Sequence, residues 1–186
     1  MSTCGVVKLQ AQFRGNKSRR VHVKHDGETL LDIGSGDGRV VIEAAVRYPK
    51  LKLARGIELD EALVGLSNRR IIERTNQGNL YKSEMEQHCK QEKSALAVTT
   101  LSERTEIIHA DFMDVNMTDA DVVVLFFLPH IEIAHTLQNK LRPGTRVVTY
   151  VFQIAQWKPM RTVLTVPFMT ARGSSSIFLY KVPSTK

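Results

Sequence analysis

From Glu28 onward the chain alternates between two hydrophobic patterns. Short runs of β-branched and aliphatic residues give way to stretches whose apolar positions recur every three or four residues, as strands alternate with amphipathic helices. Thr29 to Ile33 (TLLDI) predicts a buried strand ending at a glycine cluster, Gly34 to Gly38. Arg39 to Arg47 predicts a helix with Val40, Val41, Ala44 and Ala45 on one face and Pro49 as its stop. Leu53 to Leu59 (LARGIEL) reads as the second strand, and Asp60 is placed to cap a helix running to about Thr75. Leu63, Val64, Ile71 and Ile72 face inward on that helix.

Residues 76–104 break the rhythm with a polar stretch whose middle fits a surface helix, an insertion or loop where a short connection is expected. The alternation then resumes. Thr105 to His109 is a strand, and Asp121 to Leu128 (DVVVLFFL) is uniformly apolar, as a central parallel strand is. A helix over Ile131 to Leu141 precedes three more strands, Arg146 to Phe152, Arg161 to Val166 and Ser176 to Val182. Too few residues join the last two for a crossover helix, so they predict an antiparallel hairpin at the sheet edge. The pattern implies one α/β domain over 28–186, with a mostly parallel seven-stranded sheet, behind a tail over 1–27.

At 186 residues and 42% hydrophobic the chain can build a sizeable core, and its longest apolar run, Val122 to Leu128, is too short to span a bilayer. Cys4 and Cys89 lie far apart without ligand spacing, which argues against a disulfide scaffold or zinc module and for a reducing compartment. His130 and His135 are five apart, off one helical face, so no metal site is expected. The net charge of +7 concentrates at the start. Six of the 26 basic residues fall in 1–25 with no acid, leaving 20 basic against 19 acidic residues beyond. A solvated tail, an organelle presequence and a docking arm for an acidic partner all fit that stretch.

The candidate chemistry lies in LLDIGSGDGRV, Leu30 to Val40, where a strand runs through Gly34, Ser35, Gly36, Asp37 and Gly38 into a helix. Glycines let a ligand approach the backbone closely, and the helix start offers free N–H groups. A dinucleotide fingerprint would need glycine at position 39, which is Arg39. Asp32 and Asp37 would also repel a pyrophosphate. The same acids suit a ligand carrying an ammonium and a sulfonium, S-adenosylmethionine. Glu58, closing the second strand, can accept both hydroxyls of a ribose, and Asp111 with Phe112, after the third, can bind an adenine amino group and cover its ring. All fall at the carboxyl ends of successive strands, where open α/β sheets bind ligands.

Over about residues 28–182 this resembles the Rossmann-like class I S-adenosylmethionine-dependent methyltransferases. Their first motif is matched by Asp32 to Gly38, their acidic ribose position by Glu58 and their adenine position by Asp111. GSGDGRVVIEAA, GIELDEALV, RVVTYVFQIAQWKP and ADFMDVNMTDADVVVLFFLP look like the small mitochondrial protein-lysine methyltransferases acting on the adenine nucleotide translocase and the ATP synthase c subunit. That resemblance implies a protein substrate bearing a target lysine and a mitochondrial location, with a cytoplasmic one as the alternative. The 76–104 stretch looks longer than that family's connection.

Methyl transfer needs a positioned nucleophile and a dry site more than a dedicated catalytic side chain. Phe127, Leu128, Pro129 and His130, after the fourth strand, are candidate walls for the acceptor, and His130 can accept its proton. Trp157, the single tryptophan, either walls the same channel or closes the end of the sheet. The Phe127–His130 turn lacks the Asn/Asp-Pro-Pro-aromatic pattern of many methyltransferases acting on adenine N6 or glutamine. An RNA or small-molecule methyltransferase, and a catalytically silent cofactor-binding scaffold, are the alternatives to a lysine enzyme.

Overall fold

The structure is a computed structural model, and its described residues are 27–88, 99–126, 132–168 and 172–184, with side chains left out over 79–88. The tail over 1–26, residues 89–98 and the predicted acceptor wall Phe127, Leu128, Pro129 and His130 lie outside them. Seven strands, β1 (Thr29–Ile33), β2 (Leu53–Glu58), β3 (Thr105–His109), β4 (Val122–Leu125), β5 (Arg146–Tyr150), β6 (Arg161–Thr165) and β7 (Ser175–Lys181), form one sheet in the order β3-β2-β1-β4-β5-β7-β6. Among the described residues the α-helices are α1 (Arg39–Arg47), α2 (Glu61–His88) and α3 (Ile133–Lys140). This is the mostly parallel, Rossmann-like sheet with an antiparallel C-terminal hairpin that the pattern predicts.

Two compact units divide the chain, His25–Asp121 and Val122–Lys186. In the first, β2 pairs in parallel with β1 and with β3. Helix α1 buries Val41, Ala44 and Ala45 against Leu51 and Ala54, with Leu30, Tyr48, Leu101 and Ile107 around them. Arg55 of β2 pairs with Glu106 of the neighbouring β3, 2.7 Å away, and with Asp119 in the loop before β4, 3.0 Å away.

In the second unit, β4 pairs in parallel with β5, while β7 runs antiparallel between β5 and β6. Val123, Leu137, Val147 and Tyr180 are fully buried. A coil over 151–160 carries the chain from the end of β5 back to the start of β6. As the outermost strand, β6 exposes its first four residues.

The main departure from the sequence reading is α2. It continues past Thr75 to His88 instead of stopping where the apolar period ends. Between 76 and 88 the chain holds no proline and one glycine, Gly78, so helix propensity carries it on.

Candidate active site

The glycine turn is built by three left-handed residues, Gly34, Gly36 and Gly38, with φ of 73°, 55° and 74°. The N–H groups of Gly34 and Ser35 donate to the Ile57 carbonyl at 2.9 and 3.0 Å, hanging the turn from β2. Two of the glycines serve different ends. A Cβ on Gly36 would meet nothing, so that side of the turn is open. At Gly38 a Cβ would stand 2.9 Å from the Ser67 Cβ and Oγ, so α2 fits against the turn only because no side chain is there.

Helix α2 clamps this turn in two further ways. Ser67, fully buried, donates its hydroxyl to the Gly36 carbonyl at 3.0 Å. Arg70 donates to the Asp37 carbonyl at 3.1 Å and forms an ion pair with its carboxylate. Arg39 holds the same carboxylate at 2.6 Å. Asp37 is therefore a loop anchor gripped by two guanidinium groups, and it makes no side-chain cap on α1. Sequence reading missed Ser67 and Arg70. Ser67 could have been found, since a small polar residue stands there at helical spacing among Leu63, Val64 and Ile71.

The carboxyl group of Asp32 is the electrostatic centre. Asp32 is 4% exposed, and no hydrogen-bond donor among the described residues reaches its carboxyl. Burial first, then the negative charges of Glu58 and Asp37, raise its pKa from an ordinary 3.8 to about 8. Glu58 spans the turn: Oε2 accepts from the Gly36 N–H at 2.7 Å, and Oε1 from the N–H groups of Leu59 and Asp60 at 2.9 and 3.0 Å. Both oxygens that the sequence assigned to a ribose thus already take backbone donors. Asp60 caps α2 as expected, accepting from Ala62 and Leu63.

After β3, Asp111 is exposed, with Oδ1 accepting from Met113 N–H at 2.8 Å, and Phe112 is half-buried beside it. Ser35 is buried with its hydroxyl unpartnered. These features fit S-adenosylmethionine. A buried carboxyl with no cationic partner among the described residues, beside an open glycine face, is what an aminoacyl sulfonium would complete, with the remaining lone pair of Glu58 Oε2 and the second oxygen of Asp111 left for its ribose and adenine.

The second unit brings aromatics together at the carboxyl ends of β4 and β5. Phe126 stacks on Tyr150 with centroids 5.1 Å apart, and Phe168 meets both edge-on at 5.3 and 5.9 Å. The Tyr150 hydroxyl donates to the Val166 carbonyl at 3.2 Å. The next residue, Val151, takes φ of 70°, a rare conformation for a β-branched residue. Trp157 stands elsewhere. It is 8% exposed with its ring 6.1 Å from Tyr180, whose partner Val147 lies near the amino end of β5. It lines a 350 Å³ cleft with Ala134, His135 and Gln138 of α3 and with Gln156 and Pro183.

Comparison with known proteins agrees with this architecture. The sequence model of the ANTKMT methyltransferase domain matches residues 76–161, a span that begins within α2 and takes in the polar stretch. A protein-lysine N-methyltransferase from Saccharolobus islandicus (strain REY15A) is 27% identical over 138 residues, 73% of this chain and 70% of that protein. The adenine nucleotide translocase lysine N-methyltransferase of Mus musculus is 24% identical over 183 residues, 95% of this chain and 65% of the mouse protein. Among solved structures, an RNA methyltransferase from Salinibacter ruber in complex with S-adenosyl-L-homocysteine superposes with a TM-score of 0.62 at 23% identity, covering 100% of this chain and 95% of that one. The fold is that of the class I S-adenosylmethionine-dependent methyltransferases. Over most of its length the chain is similar to methyltransferases, and its glycine turn and buried Asp32 fit S-adenosylmethionine.

Proposed function

We propose that this chain methylates the side-chain amine of a lysine on a protein. The observation that carries the reading is likeness to two lysine methyltransferases, archaeal and mouse, spanning 73% and 95% of the chain. Bound S-adenosylmethionine supplies an electrophilic methyl carbon on a sulfonium, and transfer breaks the C–S bond as the new C–N bond forms. The chain's own residues position and shield. Asp32 offers a negative charge to the cationic end of the cofactor, and the open face at Gly36 admits it. Glu58 and Asp111 orient ribose and adenine. A lysine must arrive without its proton, and apolar surroundings lower an amine's pKa. Within the Val122–Lys186 unit, Phe126, Tyr150 and Phe168 form an apolar aromatic cluster, and Phe127 to His130 continue the apolar run in sequence. A mitochondrial location accompanies this reading, supported by the basic, acid-free N-terminal stretch and by likeness to the mouse enzyme.

An RNA or small-molecule acceptor is the second reading. It is favoured by the solved RNA methyltransferase, whose fold match takes in the whole of this chain and nearly all of its own. Transfer of a radiolabelled methyl group into a methyl-poor cell extract, then fractionated into protein, RNA and metabolites, separates the two. Label recovered as methyl-lysine, and lost with Glu58→Ala, supports the first. Label in RNA or metabolites overturns it and leaves the fold standing. No label despite cofactor binding points to a silent scaffold.

A further inference from the structure

We propose that the outer edge of β6 is a docking surface for an anionic membrane. In the unit Val122–Lys186 the sequence holds eight Lys and Arg residues and a single acid, Glu132. Glu132 sits at the N-cap of α3. Three of the cations cluster on the hairpin: Lys158 just before β6, Arg161 opening it and Lys181 closing β7 are all exposed. Register places Arg161 beside Leu179, two residues from Lys181, so the three charges share one end of the hairpin.

Along the same edge run three large apolar side chains. Met160 is 59% exposed, Val163 42% and Leu164 69%. Successive strand residues point to opposite faces, so Val163 and Leu164 expose apolar groups on both sides of this strand. A solvated edge strand is ordinarily blunted by charge, which leaves this apolar content without a structural purpose. Nucleic acid would match the cations but would leave the aliphatic groups in water. The interface of an anionic bilayer takes both, burying aliphatic groups among acyl chains while basic residues meet lipid headgroups. No helix among the described residues is long and apolar enough to cross a membrane.

The test is sedimentation of the full chain with vesicles of phosphatidylcholine alone and of phosphatidylcholine with one-third phosphatidylglycerol. The expected result is binding to the anionic vesicles that falls with added salt. Arg161→Gln and Lys181→Gln should each weaken it about five-fold. Leu164→Ser should weaken it at unchanged net charge. Circular dichroism and S-adenosylmethionine binding verify that each variant is folded. Binding that survives all three substitutions lies elsewhere, the basic N-terminal stretch included, and overturns the proposal. So does equal binding to neutral vesicles, or no binding to either. Single-stranded RNA that competes fully with the vesicles and still binds Leu164→Ser normally would assign the surface to nucleic acid instead.

Discussion

Asp32 couples ligand binding to protons. A carboxyl whose folded pKa is raised keeps a proton that the unfolded chain gives up. Its contribution to stability is present below about pH 4 and is lost as pH rises through about 8. The cofactor's cationic end needs the charged form, so below about pH 8 binding must expel that proton. Affinity for S-adenosylmethionine should therefore rise with pH, approaching about ten-fold per unit, and level off above pH 8. Calorimetry in two buffers of different ionisation enthalpy would reveal the released proton. With Asp32→Asn the affinity should fall and both the slope and the proton release should disappear; an unchanged slope would place the titrating group elsewhere. Gly38→Ala tests the neighbouring steric constraint. A left-handed backbone and a contact 2.9 Å from Ser67 should together cost about 1–3 kcal/mol, read from chemical denaturation.

Elements set by a clear hydrophobic period were legible in the sequence. The strands Thr29–Ile33 and Thr105–His109 and the helix Arg39–Arg47 have the boundaries their patterns predict, and the final hairpin followed from the length of its connection. Helix α2 was legible only to Thr75, because beyond it the residues are mostly polar and Leu80, Tyr81 and Met85 are too few to mark a continuous apolar face. The ends of β2 and β4 were read too long, since Leu59 and Phe126 look like strand residues yet stand exposed outside it. Local glycine chemistry revealed the site's backbone. The fate of Asp37 was hidden, because its partner Arg70 lies 33 residues away and an ion pair at that range leaves no local pattern. The extension of α2 carries its own prediction. Gly78 is exposed, and a Cβ there meets nothing, so Gly78→Ala should stabilise the protein by about 1 kcal/mol in thermal unfolding. No change would mean that this part of the helix is frayed in solution.

Across the whole molecule, the near-neutral balance beyond residue 25 conceals a division of charge. Residues 26–121 carry 12 basic and 18 acidic residues, while 122–186 carry eight and one. The acids gather in the unit that holds the cationic-ligand site, and the bases gather in the other. The third charged region, the acid-free stretch over 1–25, is tested by removing it. If that stretch is an RNA arm, the truncated protein should lose its salt-dependent RNA affinity; if it is a targeting segment, methyl transfer in vitro should persist at close to its full rate.

The position of Trp157 gives the molecule an internal optical probe. Because it is the only tryptophan and lies buried beside Tyr180, excitation near the red edge reports the Val122–Lys186 unit alone. Its emission should be blue-shifted in the native state and move red as that unit opens, while far-ultraviolet dichroism sums over both. Coincident denaturation curves from the two signals would mean that the halves unfold together; separated curves would measure how independently each one stands.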